Sequence, residues 1–255
     1  INAAKRGWQL EQGKAMEQKK VLQKKAGKAK AWKIMAAYVH ESGGVLATAR
    51  GSYRIIRTKR RTELARTLYG TARYMRVAVT TGMRGHKKIL HAGNLHNYPN
   101  RDAVSKTRKE RMLRRVFADA NSLGDQPVIL NMDTNVIPEK SPAIQAAIES
   151  GKWFDLGKLY GPSGVAEWTY GRSDDWDGHT GGPYVTRPDV VMVNRTARSM
   201  VEGFELVRDL GTKNHLGLMT TFAIDKIDQK VKKLVIPTAY DAESLKREVP
   251  TEERE

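Results

Sequence analysis

The sequence predicts an α+β fold made of two packed β-sheets flanked by helices. Segments typical of strands and helices follow each other in mixed order, without the regular alternation of a doubly wound parallel sheet. Hydrophobic residues make up 40% of the 255 positions, which is enough to bury a sizeable core. We expect a main domain over residues 32–225, preceded by a basic arm at 1–31 and followed by an extension at 226–255.

The N-terminal arm is strongly basic. Residues 5–33 hold ten lysines and arginines against two acids, a net charge of +8. Alanine, glutamine and lysine favour helix, but the apolar stripe formed by Met16, Val21 and Leu22 is thin. We expect a solvated helix or a disordered arm, with contact to nucleic acid as the alternative.

From residue 32 onward the pattern is that of a packed domain. Short apolar or alternating segments, bounded by polar and glycine-rich stretches, predict strands. The predicted strands are 45–49, 74–80, 87–97, 127–130, 189–194 and 216–222. The last residues, 241–255, hold six acids and three bases and are predicted to be disordered.

Two helices are predicted between these strands. Residues 103–120 form an amphipathic pattern, with apolar residues on one face. Its outer face carries Lys106, Arg108, Lys109, Arg111, Arg114 and Arg115. A shorter helix follows Ser141-Pro142 and is closed by Gly151, the usual arrangement of proline at the start and glycine at the end.

Charge and cysteine content restrict the partners. Lysine and arginine total 45 against 28 acids, a formal net charge of +17. A field of that sign attracts polyanions, nucleic acid above all, although it also serves solubility alone. Because the chain has no cysteine, a metal would be held by carboxylates, amides or histidines, which favours Mg²⁺ or Mn²⁺.

Nothing in the sequence indicates a membrane protein. No apolar segment approaches the ~20 residues that cross a bilayer, and no signal peptide is recognisable. We expect a soluble, intracellular monomer.

Four polar clusters lie at the ends of predicted strands. They are Asn94-Leu95-His96-Asn97, Met132-Asp133-Thr134-Asn135, Arg187-Pro188-Asp189 and Lys213-Asn214-His215-Leu216. Clefts are built in this way, because rigid strands deliver side chains into neighbouring loops. Each cluster alone also suits an ordinary turn, since Asp and Asn side chains bond the local backbone. An α+β domain whose polar strand ends are only turns is therefore one alternative.

The order and spacing of the clusters resemble the endonuclease/exonuclease/phosphatase superfamily, to which deoxyribonuclease and apurinic endonuclease belong. The pattern adds the pair Trp168-Thr169 to the four clusters and runs from about residue 43 to residue 222. The resemblance implies a four-layer sandwich and a divalent-metal-dependent phosphodiester hydrolase. It implies above all a retroelement-type endonuclease that acts on DNA.

The resemblance also implies catalytic roles. Asp133 would bind metal or activate the attacking water, and Asn135 would bond the phosphate. Asp189 would orient and charge His215, while His96 would contact the phosphate or the leaving group. Hydrolysis of a phosphodiester needs these parts: a base, cations on the equatorial oxygens and help for the leaving oxygen.

Other residues would bind substrate. Asn94 lies beside His96, and Trp168 lies in the aromatic-threonine pair that borders the cleft in this family. The basic helix, through Lys106, Arg108 and Arg111, would hold the rest of a polyanion.

Two departures from the pattern leave catalysis open. The family's metal-binding glutamate has no recognisable counterpart; we expect it upstream of Ile1, so that the first strand region is missing, and Glu11 and Glu41 match it by residue type only. Asn214 stands where the family has aspartate, so a neutral amide oxygen replaces an anionic metal ligand. The alternative to an active hydrolase is a catalytically inactive basic module that keeps the fold and binds nucleic acid.

Overall fold

A computed structural model describes residues 8–12, 16–26, 31–41, 46–50, 53–58, 62–81, 89–99, 103–171, 185–208 and 214–223. The strands are β1 (Trp8–Gln12), β2 (Met16–Ala26), β3 (Ala31–Glu41), β4 (Leu46–Arg50), β5 (Tyr53–Arg57), β6 (Tyr74–Thr81), β7 (Ile89–His96), β8 (Val128–Asp133), β9 (Trp153–Asp155), β10 (Tyr170–Gly171), β11 (Val185–Thr186), β12 (Asp189–Asn194), β13 (Val201–Val207) and β14 (Gly217–Phe222). The helices are α1 (Glu63–Gly70), α2 (Ala103–Asn121), α3 (Pro142–Glu149), α4 (Leu156–Tyr160) and α5 (Arg195–Arg198), with 3₁₀ turns at Pro138–Lys140 and Pro162–Gly164.

A six-stranded sheet forms the centre of the domain, in the order β5-β6-β7-β8-β12-β9. The pairings are antiparallel except for β7 and β8, which are parallel. The α2 helix connects these two strands, as a parallel pair requires, because a short turn cannot return the chain to the same end of a sheet. The carboxyl ends of β7 and β8 therefore lie side by side.

One face of the sheet is covered by helices. The apolar residues predicted for the inner face of α2 are buried there: Met112, Leu113, Val116, Phe117 and Ala120. The α3 helix begins as predicted, because the Ser141 hydroxyl accepts a hydrogen bond from the Ile144 backbone N–H and Pro142 occupies the first turn.

The other face of the sheet packs against a hairpin. Strands β13 and β14 pair with each other, and their partly buried Val201, Phe204, Leu218 and Phe222 contact a core that includes Ile129 and Val191 of the central sheet. The result is an α+β sandwich of helices, a central sheet and a second small sheet, which confirms the predicted fold class.

The N-terminal strands differ from the sequence prediction. Residues 16–26, predicted to be helical or disordered, form a strand that pairs with β3 over its whole length. The helix propensities of lysine, glutamine and alanine are weak, and tertiary or strand pairing readily overrides them. The partner strand contains Trp32, Ile34, Tyr38 and Val39, residue types that favour strands.

A buried ion pair lies between the sheet and α2. The Arg76 guanidinium donates to the Asp119 carboxylate at 3.0 Å and 3.4 Å, and the Tyr74 hydroxyl donates to the same carboxylate at 3.1 Å. All three side chains are buried, with Asp119 at 1% exposure. Strand β6 is therefore buried on both faces, although its sequence alternates.

Within the described ranges, no helix combines the length and apolar character needed to cross a bilayer. The predicted disordered segment at 241–255 lies outside the described residues.

Candidate active site

The polar strand ends form one row across three neighbouring strands. Asp133 ends β8, pairs with Asp189 at the start of β12 and lies level with His96 at the end of β7. Residues that face each other in this way have Cβ atoms about 4.5–5.5 Å apart. His96 Nε2 lies 3.6 Å from the Asp133 carboxylate. The sheet therefore brings two carboxylates and an imidazole to one edge.

The row lies on the face that the hairpin covers. Asp133 and Ile129 are four residues apart on one strand, as are Asp189 and Val193 on the next, so each pair shares a face. Ile129 and Val193 belong to the core under the hairpin. The apolar face thus ends in polar residues whose side chains are partly exposed at the edge between the two sheets.

His215 reaches this row from the hairpin side. Its Nδ1 atom lies 2.9 Å from an Asp189 carboxylate oxygen, which is the contact that the sequence predicts. The Tyr170 ring lies against the imidazole with centroids 4.8 Å apart. The backbone is held by a hydrogen bond from Leu216 N–H to the Thr169 carbonyl and another from Gly171 N–H to the Asn214 carbonyl.

The pKa values of His215 and Asp133 are both raised, but for different reasons. The hydrogen bond to Asp189 raises the pKa of His215 above its usual value, and the charges of Asp189 and Asp133 act in the same direction against partial burial. Burial raises the pKa of Asp133, and the facing carboxylate of Asp189 raises it further. Asp189 and Asp133 thus favour the protonated form of the His215 imidazole.

The loop after β8 is fixed by a closed set of hydrogen bonds. Asn135 adopts φ +51°, a left-handed conformation that asparagine tolerates, and its N–H donates to the Asp133 carboxylate at 3.2 Å. Its carbonyl accepts from Lys109 Nζ at 2.8 Å, its side-chain amide donates to the Asn97 carbonyl at 3.2 Å, and the Asn97 amide donates to the Lys109 carbonyl at 3.3 Å. The cycle joins α2 to both strand ends.

Lys109 therefore corrects one prediction. Sequence periodicity placed it on the outer face of α2, but only 5% of its surface is exposed. The long side chain reaches around the helix to a backbone carbonyl, which a period of 3.6 residues does not reveal. The other predicted outer residues, Lys106, Arg108, Arg111, Arg114 and Arg115, are exposed.

The remaining predicted residues lie near the row in different ways. Asn94 accepts a hydrogen bond from the Asn131 side chain at 3.2 Å, two residues behind His96 and Asp133. Trp168 is 46% exposed and lines an open cavity of about 890 Å³. Asn214 directly precedes His215 and adopts φ +69°.

Arg187, in the predicted Arg-Pro-Asp cluster, has a structural position. Its guanidinium is buried and bonds Asp155 at 2.7 Å and 3.1 Å and Glu139 at 2.8 Å. Asp155 and Glu139 balance the charge of Arg187. Arg187 therefore holds the start of β12 in place.

The side chains at this sheet edge include the type of ligand that a hard cation prefers, but only a small number of them. Asp133 and Asp189 supply carboxylate oxygens, the ligands that Mg²⁺ and Mn²⁺ prefer. Across the ranges that the structure describes, however, no group of three or more His, Asp or Glu is arranged to hold a metal ion. Asp133 and Asp189 thus supply ligands of the type that a hard cation prefers, but the described residues alone do not form a metal site.

Several contacts of the site were not predicted from the sequence. Thr134 is fully buried, and its N–H and hydroxyl both donate to the Pro188 carbonyl, which ties the ends of β8 and β12 together. Thr134 and Asn97 belong to the predicted clusters, but their hydrogen bonds were not predicted. Tyr170 directly follows the predicted Trp168-Thr169 pair, and this adjacency was the available signal.

Comparison with known proteins agrees with this architecture. No protein-family model matches the chain, and no curated protein is similar to it in sequence. The endonuclease domain of TRAS1, a telomere-specific non-LTR retrotransposon, superposes with a TM-score of 0.50 at 15% identity, over 85% of this chain and 80% of that one. An AP endonuclease from Archaeoglobus fulgidus gives a TM-score of 0.47 at 13% identity, over 67% of this chain and 79% of that one.

An endonuclease/exonuclease/phosphatase from Bacteroides vulgatus gives a TM-score of 0.44 at 15% identity, over 59% of this chain and 55% of that one, so the chain spans just over half of its length. At 15% identity the similarity to the TRAS1 endonuclease domain establishes the fold alone. The chain shares the fold of that domain, in agreement with the α+β sandwich predicted from the sequence.

Proposed function

We propose that the chain is a phosphodiester hydrolase domain that acts on DNA with Mg²⁺ or Mn²⁺ as cofactor. The observation that carries this proposal is the row of His96, Asp133 and Asp189 at one sheet edge, with His215 hydrogen-bonded to Asp189 across the cleft. Paired carboxylates beside an imidazole whose pKa is raised by its hydrogen bond to Asp189 suit proton transfer and charge stabilisation at a phosphate.

Each residue has a role in this proposal. Asp189 holds the His215 ring and stabilises its charge, so that the imidazolium donates to a phosphate oxygen. Asp133, which lies beside His96 at the sheet edge, holds or activates the attacking water. His96, beside Asp133, contacts the phosphate or donates to the leaving oxygen.

Positioning and metal binding complete the assignment. Asn135 and Asn94 contact the phosphate without adding negative charge. Asp133 and Asn214 would hold the divalent ion, which supplies charge neutralisation on the phosphoryl oxygens. The hydrogen-bond cycle through Lys109 keeps Asn135 in place.

The substrate assignment rests on charge and on fold. A net charge of +17 attracts a polyanion, and exposed Lys106, Arg108 and Arg111 project from α2 next to the catalytic edge. Trp168 adds an exposed ring beside the cleft. The TRAS1 domain with the same fold is a retrotransposon endonuclease, and we propose a retroelement-type activity for this chain as well.

The decisive experiment measures cleavage of plasmid DNA and of abasic duplex DNA with Mg²⁺ or Mn²⁺, with and without EDTA. We expect cleavage that EDTA removes and that His215→Ala and Asp189→Asn each reduce by roughly 10²-fold or more. Asp125→Asn, which changes an exposed acid after α2, is the matched control. Cleavage that survives both site variants would rule out this site.

A second function is favoured by one observation. Because the described residues supply only part of a metal site, and Asn214 is an amide, the chain fits a catalytically inactive module that binds nucleic acid through its basic surface. This alternative predicts DNA binding without cleavage in either metal. A metal titration followed by thermal unfolding separates the two: only the hydrolase predicts a midpoint that rises with Mn²⁺ and loses that rise in Asp133→Asn.

A further inference from the structure

A single aromatic ring next to the catalytic row carries two cations. The Cζ atoms of Arg73 and Arg108 lie 4.7 Å and 4.9 Å from the centroid of the Tyr98 ring. Both guanidinium groups therefore lie within about 10 Å of each other, a distance at which like charges repel. Within the described part of the chain, no carboxylate forms an ion pair with either group. An anion bound here would turn the repulsion into attraction.

The stack is attached to the backbone that carries His96. One nitrogen of the Arg73 guanidinium lies 3.4 Å from the His96 carbonyl and 3.3 Å from the Asn97 carbonyl, to which it donates. The Tyr98 N–H donates to the Asn97 side chain at 2.9 Å, and Asn97 is fully buried. Because Tyr98 follows His96 by two residues, at most about 7 Å of chain separates their Cα atoms.

Arg108 extends this position along α2. It is exposed, and Arg111 and Arg115 follow it at spacings of three and seven residues, which places all three on one side of the helix. The rise of about 1.5 Å per residue spreads them over roughly 10 Å. A stacked guanidinium keeps its edge N–H donors available, so a ring beneath it orients the group for a phosphate without using those donors.

We propose that Tyr98 positions Arg108 to bind a DNA backbone phosphate next to the reacting one, and that Arg111 and Arg115 continue this contact along α2. Arg73 holds the ring against the catalytic edge. The proposal rests on the proposed function in taking DNA as the ligand, and it assigns to Tyr98 and Arg73 a part in substrate positioning. The bound strand then runs from His96 along the exposed side of α2.

The test is a double-mutant cycle on DNA binding. Affinity of the full chain for a fluorescent duplex oligonucleotide is measured by anisotropy in EDTA, over a series of salt concentrations. We expect Arg108→Ala to weaken binding roughly 5- to 10-fold and to reduce the salt slope by about 0.9, as loss of one phosphate contact requires. Tyr98→Leu is expected to weaken binding roughly 2- to 5-fold, the size of an exposed cation–π interaction.

The energetic coupling between Tyr98 and Arg108 decides whether the ring positions the arginine for DNA binding. Tyr98→Leu is expected to have no further effect in the Arg108→Ala background, and Tyr98→Phe, which keeps the ring, is expected to bind like the unmodified chain. Additive losses, or wild-type affinity in Tyr98→Leu, would overturn the proposal.

The chain offers a matched control for the charge itself. Arg198 lies in α5, beyond the other end of β12, is exposed, and has its Cζ 4.3 Å from the Phe154 ring centroid. Arg198→Ala therefore removes the same kind of stacked cation away from the catalytic edge, and we expect less than about half the loss seen for Arg108→Ala. An equal loss would show that only net charge matters and would overturn the proposal.

This design can reject the hydrolase proposal and the Tyr98 proposal independently of each other. Since EDTA prevents metal-dependent cleavage, an intact cycle in a chain that never cuts DNA would reject the hydrolase and keep the Tyr98 assignment. A chain that cuts DNA but shows no coupling between Tyr98 and Arg108 would do the reverse. Failure of the unmodified chain to bind the duplex at all would reject both.

Discussion

Two groups of charged side chains occupy the same central sheet under opposite conditions. Arg76 and Asp119 lie between the sheet and α2 with side chains 7% and 1% exposed, while His96 and Asp133 lie at the open edge with side chains 38% and 23% exposed. The buried group is balanced, because one cation, one anion and a tyrosine hydroxyl satisfy each other. The open group has two facing carboxylates, and its charge is not balanced in the same way.

The difference separates a structural role from a reactive one. A buried pair whose hydrogen bonds are all made holds the fold, since removing one partner leaves the other unpaired in a dry environment. Perturbed groups that water and ligands can reach are typical of functional sites. The raised pKa of Asp133 comes with access to the cleft, whereas the Arg76 pair is sealed.

The largest expected effect follows from breaking the buried ion pair of Arg76 and Asp119. Asp119→Ala leaves the Arg76 guanidinium without its partner and should lower the free energy of unfolding by about 3–5 kcal/mol. Urea denaturation followed by circular dichroism measures this. Asp125→Ala, an exposed acid a few residues later, should stay within about 0.5 kcal/mol of the unmodified chain. A loss below about 1 kcal/mol for Asp119→Ala would mean that the buried pair does not stabilise the fold.

The next largest effect follows from removing His215 at the open sheet edge. His215→Ala should lower the rate of phosphodiester cleavage by about 10²- to 10⁴-fold, the usual contribution of a general acid or base. The side chain is half-buried, so its removal should cost at most about 1 kcal/mol of stability. Rate and unfolding are measured on the same preparation. A variant that unfolds as readily as Asp119→Ala would place His215 with the structural group.

A smaller effect concerns the connection between the helix face and the open edge. Lys109→Met removes the charged donor to the Asn135 carbonyl, a hydrogen bond worth about 1.5–3 kcal/mol. We expect kcat to fall roughly 10-fold with KM changed less than twofold, because the residue positions Asn135 and does not touch substrate. Lys109→Arg should restore most of kcat. A rise in KM alone would instead indicate that Lys109 binds DNA.

Much of the open site could be predicted from the sequence because its signals are local. Asp133, Asp189 and His215 each lie beside an apolar strand, and strand periodicity together with the resemblance is enough to bring them to one edge. The balanced group could not be predicted in the same way. Arg76 and Asp119 are 43 residues apart, and nothing in either neighbourhood indicates that they pair.

The same reasoning explains the errors. Lys109 follows the helical pattern of exposed bases, but its four-carbon side chain reaches a carbonyl that only the folded loop provides. Residues 16–26 form a strand because β3 supplies hydrogen-bond partners, and the sequence of a strand does not identify its neighbour. Both errors arise because the outcome depends on a partner in another segment, which is the neighbouring strand for residues 16–26 and the loop after β8 for Lys109.

The smallest expected effect compares a histidine of each region by pH. His215 has a raised pKa, so its stabilising contribution is complete below the unfolded value near 6.5 and is lost as pH rises through the folded value. His91, buried in the sheet with Nε2 2.6 Å from the side-chain amide oxygen (Oε1) of Gln126, has a pKa lowered first by burial and also by Arg76. Its neutral form suits the fold, so stability should fall as pH drops from about 6.5 through the lowered value.

Unfolding free energies of the unmodified chain, His215→Ala and His91→Gln between pH 5 and 8 measure both contributions. We expect His91→Gln to flatten the acid side alone and His215→Ala to flatten the loss toward higher pH alone. Equal flattening by both variants would show that the two histidines titrate in similar surroundings and would remove the electrostatic distinction between the buried and the open region.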